Sequence, residues 1–300
     1  MAVGRSSPLI PFLVAALGIA VFSAMDAVMK GLVLAIGAYN ALTWRMMAST
    51  VLSGGLYAWR RPAWPDPAIL RVHITRALLS AVMAFLFFWG LARVPIAQAV
   101  ALTFIAPLIA LFLAAWLLGE RVRMATVLGS MVAMAGVGAI LVGQAVTPAG
   151  PEAVAGSLAV LASACCYAWN IVLMRQQAMV AGPIEISFFQ SVIVCALYLL
   201  AAPWLLRVPP AALSGAIVAG AVMTTASLML LSWAYARAEA NLLSMSEYTA
   251  FLWGATFGWV FFGERLALGT LAGAGLIVIG CLVALRRRDG APVADAEAAL

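Results

Sequence analysis

The feature of this sequence that most constrains its fold is a series of ten apolar segments. A helix needs roughly 20 apolar residues to cross a hydrocarbon core about 30 Å thick, and it satisfies its backbone hydrogen bonds internally. The segments are, approximately, 9–29, 39–58, 72–92, 95–118, 124–142, 154–174, 183–205, 214–235, 241–262 and 267–285. Only 9% of the residues are charged, too few to cover a water-facing surface. The sequence therefore predicts an all-α integral membrane protein with ten transmembrane helices.

The basic residues between these segments predict the orientation of the chain. With the N-terminus in the cytoplasm, the inner connections hold 11 basic residues and the outer connections hold 4. Cytoplasmic loops are rich in Arg and Lys, so both termini are expected in the cytoplasm. The polar, Ala-rich residues 289–300 are expected to form a disordered cytoplasmic tail.

The chain repeats itself at a spacing of 144 residues. The segment WGLAR (89–93) aligns without gaps on WAYAR (233–237), and GER (119–121) aligns on GER (263–265). Each unit, 1–147 and 148–288, holds five predicted helices. Because five is odd, the second unit enters the membrane from the opposite side, which predicts two inverted five-helix repeats. Such repeats are a recurring design of secondary transporters.

Glycines predict two further local features. Gly119 and Gly263 are expected to end helices 4 and 9 in a left-handed conformation, with Glu120 and Glu264 near the positive start of the following helix. Small residues on one face permit close contact between helices. Helices 5 and 10 carry such glycines, at positions 129, 136, 273 and 280. The contact could form within one chain or between two chains.

Two motifs carry a resemblance to a known family. The pattern A-x-[DN]-x-V occurs late in the first helix of each unit, at 24–28 and 168–172, and G-E-R lies between the fourth and fifth helices. The chain resembles the EamA-type branch of the drug/metabolite transporter superfamily and is similar to its bacterial aromatic amino-acid exporters. The resemblance implies alternating access in the bacterial inner membrane. It also implies a central cavity formed by helices 1, 3, 4, 6, 8 and 9, with helices 5 and 10 beside it.

Aromatic and polar side chains on these helices are the candidate substrate contacts. They are Phe85, Trp89, Gln98, Phe104, Tyr167, Trp169, Asn170, Trp233, Ser244 and Tyr248. Each is weighed against a place at the lipid or at the membrane interface, where Trp and Tyr are enriched. A pocket with aromatic faces and a few hydrogen bonds suits amino acids with apolar or aromatic side chains and disfavours strongly anionic solutes.

Charged residues inside the spans are the candidate coupling or gating residues, because charge is costly in the membrane. Asp26 has two possible partners, Lys30 at i+4 and Arg45 on helix 2. Arg76 could pair with Glu247 across the repeats, or its side chain could extend to the interface. A structural ion pair that seals the outer end is the alternative to gating for Asp26, Lys30 and Arg45. Pro107, in helix 4, removes a backbone hydrogen bond and frees the carbonyl near Thr103.

Other classes of protein lack the residues they need. A P-loop requires a lysine that follows glycine, and the single lysine here is Lys30. The single histidine, His73, excludes an HExxH metalloprotease, so neither an enzyme, a cofactor nor a metal site is expected. The expected function is export of amino acids or similar small solutes by a monomer or weak homodimer, with lipid and substrate, but no nucleic acid, as partners. Uptake of a nucleotide-like metabolite, and a channel or lipid-handling protein, remain alternatives.

Overall fold

A computed structural model describes residues 9–60, 64–106, 108–109, 112–113, 124–145, 150–237, 246 and 249–285. Within these ranges the chain is helical and contains no β-strand, which confirms the predicted all-α class. The helices are α1 (Leu9–Ile36), α2 (Ala38–Arg60), α3 (Pro67–Leu91), α4 (Ile96–Thr103), α5 (Met124–Ala145), α6 (Gly150–Val180), α7 (Pro183–Leu199), α8 (Ser214–Tyr235), α9 (Thr249–Phe262) and α10 (Leu268–Leu285). The predicted boundary between the repeats, after residue 147, and the predicted tail 289–300 lie outside the described residues.

Several helices suit a membrane by length and composition. Four of them in the described ranges are long and apolar enough to cross a bilayer: Leu9–Ile36, Pro67–Leu91, Pro151–Val180 and Ala211–Tyr235. Shorter apolar helices cover Val127–Val142, Pro183–Leu199, Thr249–Phe262 and Leu268–Gly280. Large apolar side chains such as Met131, Val142 and Trp259 are about two-thirds exposed, at 65%, 67% and 67%. Lipid accommodates such a surface and water does not, as expected of a multi-pass membrane protein.

Two of the helix ends that differ from the sequence prediction lie next to candidate residues. Helix α1 continues seven residues past the predicted end at 29, because Lys30 is buried among partners rather than placed at a polar boundary. Helix α4 ends at Thr103, and the next backbone bonds, from Phe104 to Ala101 and from Ile105 to Leu102, span three residues instead of four. A proline cannot bond to the carbonyl four residues before it, which is Thr103 for Pro107. Pro107 itself lies outside the described residues.

The packing of the helices has a twofold pattern. Helix α1 packs on α8, and the corresponding pair, α6 on α3, is also in contact. Likewise α2 packs on both α7 and α8, and α7 packs on both α2 and α3. The pairs α4–α9 and α5–α10 each join two helices that the repeat relates to one another, so the exchange leaves both pairs unchanged. Exchanging the first five helices for the last five therefore preserves the main contacts.

Paired glycines hold α5 against α10 within one chain. A Cβ on Gly136 would lie 2.6 Å from the Gly273 carbonyl oxygen, and a Cβ on Gly273 would lie 2.7 Å from the Gly136 oxygen. A Cβ on Gly280 would overlap the carbonyl oxygen of Gly129. The predicted glycine contact is thus formed, and it is internal to the chain.

The aligned segments WGLAR and WAYAR form the same local structure. The guanidinium of Arg93 lies 3.6 Å from the ring centre of Trp89 and donates to the Trp89 carbonyl at 2.8 Å. The guanidinium of Arg237 lies 4.2 Å from the ring centre of Trp233 and donates to the Trp233 carbonyl at 3.1 Å. Each arginine covers the ring one helical turn before it, at the end of α3 or α8.

The two ends of the helical bundle can be named by their buried basic residues. His73 lies near the start of α3, and Val94 follows the end of the same helix. Lys30 contacts Val94, whereas His73 contacts Glu185 at the start of α7. These two ends are called the Lys30 end and the His73 end.

Candidate functional site

A cavity of about 250 Å³ lies at the centre of the helical bundle. Its wall contains residues of α1, α2, α3, α4, α6, α7, α8 and α9, but none from the described parts of α5 and α10. Helices α2 and α7 therefore join the six helices expected at the cavity. The aromatic wall is formed by Phe22, Phe87, Phe88, Phe104, Tyr167 and Tyr235.

Some sequence-predicted residues meet at this cavity. Of the candidate substrate contacts, Phe104, Tyr167 and Asn170 line it. Three candidate coupling residues line it as well, namely Asp26, Arg45 and Arg76. Charge therefore reaches the substrate cavity itself, and the separation of cavity residues from coupling residues made on sequence does not follow the geometry.

Other predicted residues lie elsewhere or cannot be placed. Phe85 and Trp169 are 37% and 39% exposed, and neither lines the cavity. Trp89 and Trp233 are likewise off the cavity wall and stack on their arginines. Gln98 is buried away from the cavity, where it bonds to Ser157 at 3.2 Å. The candidates Pro107, Ser244, Glu247 and Tyr248 lie outside the described residues.

One part of the cavity wall carries a buried acid and a buried arginine. Asp26 and Arg45 are 3% and 4% exposed and interact electrostatically without an ion pair within 4 Å, whereas Lys30 pairs with Glu264. Arg45 Nη1 also contacts Met25 Sδ at 3.1 Å and Thr224 Oγ1 at 3.2 Å. Within the described residues, Asp26 Oδ1 and Arg45 Nε are buried without a hydrogen-bond partner.

Another part of the wall carries Arg76 with neutral partners. Arg76 is 3% exposed, which excludes extension of its side chain to the interface. Its Nε donates to Asn170 Oδ1 at 3.1 Å, and its Nη1 donates to Gln177 Oε1. The chain of contacts continues from Gln177 Nε2 to His73 Nδ1 at 2.5 Å and from His73 Nε2 to Glu185 Oε1 at 3.0 Å. The histidine is fully buried.

At the Lys30 end, Lys30 and Glu264 join three parts of the chain. Lys30 Nζ contacts Glu264 Oε1 at 2.5 Å and the carbonyl oxygen of Val94 at 2.6 Å. The other carboxylate oxygen of Glu264 accepts from the backbone N–H of Ile96, in the first turn of α4, at 2.8 Å. Gly263 has the predicted left-handed conformation, with φ of 63°. Glu264, however, caps α4 rather than the following helix, because free N–H groups at the start of α4 point toward it.

Sequence reasoning missed most of the polar cavity wall. Hydroxyl and amide side chains there include Ser23, Ser80, Ser163, Ser187, Gln190, Ser191, Thr224, Thr225 and Ser227. A Ser or Thr in a membrane helix can also bond to its own backbone, so residue type alone does not mark a binding role. Gln177 and Glu185 were missed for the same reason, since only their long-range contacts distinguish them. No cluster of His, Cys, Asp and Glu suited to a metal occurs among the described residues.

Comparison with known proteins agrees with this architecture. The EamA-like transporter family matches residues 9–142 and 154–286. The pseudopaline exporter CntI of Pseudomonas aeruginosa, from strains UCBPP-PA14 and PAO1, is 28% identical over 284 residues, which is 93% of this chain and 96% of the exporter. A crystal structure of a protein 25% identical in sequence superposes with a TM-score of 0.59 over 94% of this chain and 98% of that chain. Both halves of the sequence match one family, so this chain belongs to the EamA-like transporter family.

Proposed function

We propose that this transporter exports amino acids and related small organic solutes across the bacterial inner membrane by alternating access. The observation that carries the proposal is the central cavity, which lies between two sets of helices whose contacts are preserved on exchange. Rocking one such set against the other opens a midplane cavity to each side in turn. A volume of about 250 Å³ is at the lower limit of ligand pockets, which favours a solute of amino-acid size over a nucleotide-like one.

We also propose ten membrane crossings as two inverted repeats, with the Lys30 end outside and both termini in the cytoplasm. The twofold contact pattern and the bias of basic residues support this topology. The glycine contact between α5 and α10 is used within one chain, which supports a monomeric transport unit.

Transport by purified protein in liposomes tests the function. We expect saturable counterflow of at least one labelled amino acid from a panel that spans acidic, basic, apolar and aromatic side chains. Liposomes without protein are the control. Single-channel current without counterflow would indicate a channel, and exchange of nucleotide-like solutes alone would favour the uptake alternative.

Cysteine labelling tests the topology independently. Val208, 85% exposed in the α7–α8 connection, and Asp66, just before α3, are replaced singly by Cys in a protein whose four native cysteines are Ala. The Arg207 backbone next to Val208 bonds to Trp44 and Asn40, close to the Lys30 end. A membrane-impermeant maleimide added to intact cells should label position 208 and spare position 66. The reverse pattern would invert the proposed orientation.

The Lys30–Glu264 contact gives a specific test of gating. Glu264→Gln removes the charge of a buried partner but keeps its shape, so the Lys30 end should open more often. We expect about 10- to 100-fold faster alkylation of a cysteine at Ser23, in the cavity wall, by impermeant reagent added from that side. Glu152→Gln is the matched control, because Glu152 is 83% exposed and 3.8 Å from Arg93. Equal labelling rates in both variants would show that Glu264 does not hold the Lys30 end closed.

A further inference from the structure

The cavity wall holds polar atoms that need partners. Five lining residues each have a buried polar atom with no hydrogen bond within the described part of the chain: Asp26 Oδ1, Arg45 Nε, Ser187 Oγ, Gln190 Oε1 and Thr225 Oγ1. Leaving such an atom without a hydrogen bond is costly in free energy. Two of the atoms, Asp26 Oδ1 and Gln190 Oε1, can only accept, whereas Arg45 Nε can only donate. Both donors and acceptors are therefore present among the buried polar groups of the wall.

Asp26 and Arg45 are complementary to the head group of an amino acid. An ammonium donates to a carboxylate such as Asp26, and a carboxylate accepts from a guanidinium such as Arg45. Both side chains line the cavity, and Arg45 Nη1 contacts Met25, the residue before Asp26, at 3.1 Å. An α-ammonium and an α-carboxylate on neighbouring atoms match that arrangement.

Arg76 adds a second positive charge to the same cavity. Its described hydrogen-bond acceptors are the amides of Asn170 and Gln177, which bring no negative charge. Among the described residues of the wall, the formal charges are therefore two positive and one negative. A guanidinium with only amide acceptors is costly inside a membrane protein, and a carboxylate binds it through two parallel hydrogen bonds. The described part of the wall is thus complementary to a solute with a net negative charge.

We propose that the cavity binds an amino acid that carries an extra carboxylate, with its head group at Asp26 and Arg45 and the extra carboxylate at Arg76. This inference rests on the proposed function and narrows its substrate class. It departs from the sequence-based expectation of apolar and aromatic amino acids, because Arg45 and Arg76 were placed at gates and not in the cavity. The aromatic wall then covers the carbon skeleton between the two charged ends.

Competition by matched solutes tests the proposal on the full-length protein in liposomes. Glutamate and glutamine have nearly the same shape and differ by one negative charge. We expect glutamate to be exchanged about 10- to 100-fold more effectively than glutamine. Arg76→Gln should abolish this ratio, whereas Arg76→Lys should retain part of it. Thermal unfolding in detergent, with and without glutamate, shows whether each variant is folded and whether it still binds.

A second pair of solutes tests the head group. Glutarate lacks the ammonium of glutamate, so the wild-type protein should exchange glutamate more effectively than glutarate. Asp26→Asn should reduce this difference. Glu247→Gln is included because Glu247 is the predicted partner of Arg76. If Glu247→Gln by itself creates the preference for glutamate, Glu247 neutralises Arg76 and the proposal is wrong. Exchange of neutral amino acids with no preference for glutamate would overturn it while leaving the proposed function intact. Exchange of no amino acid at all would reject both.

Discussion

The two arginines of the cavity show how the halves of this protein differ. The 144-residue repeat relates Asp26 to Asn170; Asn170 bonds to Arg76, and Asp26 shares the cavity wall with Arg45. The arginines themselves are not related by the repeat, because Arg45 corresponds to Phe189 and Arg76 corresponds to Gly220. Phe189 instead stacks on His73, with ring centres 4.8 Å apart. The helices thus follow the repeat closely, while the charges depart from it.

The packing of the helices and the charged groups of the cavity therefore serve different purposes. In the proposed alternating access one half moves against the other, and contacts such as those of α5 with α10 are preserved when the halves are exchanged. Recognition of an asymmetric solute requires different groups at the two ends of the cavity. Both arginines lie in the first half: Arg45 shares its part of the wall with Asp26 of the same half, whereas the described acceptors of Arg76 are two amides of the second half.

The largest expected effect comes from breaking the part of the wall that Asp26 and Arg45 share. Arg45→Ala leaves Asp26 buried without a countercharge, which should lower the free energy of unfolding by about 3–5 kcal/mol. Arg76→Ala leaves two amides and should cost about 1–3 kcal/mol. Unfolding of the detergent-solubilised protein measures the cost of each alanine variant. The charge-neutral control combines Arg45→Gln with Asp26→Asn. An equal cost for the two alanine variants would contradict the comparison.

A smaller effect tests the symmetry of the scaffold. Gly136→Ala and Gly280→Ala occupy corresponding positions, and each added Cβ would meet backbone of the opposite helix. Both should cost about 1–3 kcal/mol of unfolding free energy, and by similar amounts. The controls are Gly138→Ala and Gly275→Ala, whose Cβ would have no atom within 4 Å. In a helix these controls should be neutral or slightly stabilising. Very different costs at positions 136 and 280 would argue against matched packing.

The next prediction gives the two positions related by the repeat, 26 and 170, the same charge. Asn170→Asp places a carboxylate in both halves, so the ratio of glutamate to glutamine exchange should fall about tenfold. Asp26→Asn places an amide in both halves, and the ratio should rise because the cavity becomes more positive. Counterflow in liposomes measures both ratios. Changes of the same sign in the two variants would contradict the assignment of charge to the two halves.

The sequence predicted the scaffold better than the cavity, for a physical reason. Long apolar segments, glycine spacing and the repeat depend on local composition, so the helices, the α5–α10 contact and the left-handed Gly263 could be inferred. Helices in lipid are apolar on all sides, so the sequence does not reveal which aromatic residue faces inward. Tyr167 lines the cavity and Trp169 does not, although both are aromatic and two positions apart.

Charged residues predicted which side chains line the cavity better than aromatic residues did. Asp26, Arg45 and Arg76 all reach the cavity, because a charged side chain in a membrane helix avoids lipid. Their partners were harder to infer, since a single sequence does not report long-range contacts. Lys30 and Glu264 are 234 residues apart, and the sequence offered Asp26, four residues away, as the partner of Lys30.

The smallest expected effect sharpens the comparison at the ends of α3 and α8. Arg93→Lys and Arg237→Lys keep the charge but lose the planar stacking on Trp89 and Trp233, so each should cost about 0.5–1 kcal/mol. Arg93 is closer to its ring and less exposed, so its replacement should cost more. Double-mutant cycles with Trp→Leu isolate each stacking energy. Arg60→Lys is the control for a weaker contact, because the Arg60 guanidinium lies 5.3 Å from the centre of the Trp59 ring. A larger coupling at Arg237 than at Arg93 would show that exposure does not set the difference. Equal couplings would mean that the repeat preserves this contact in energy as well as in geometry, unlike the charges of the cavity.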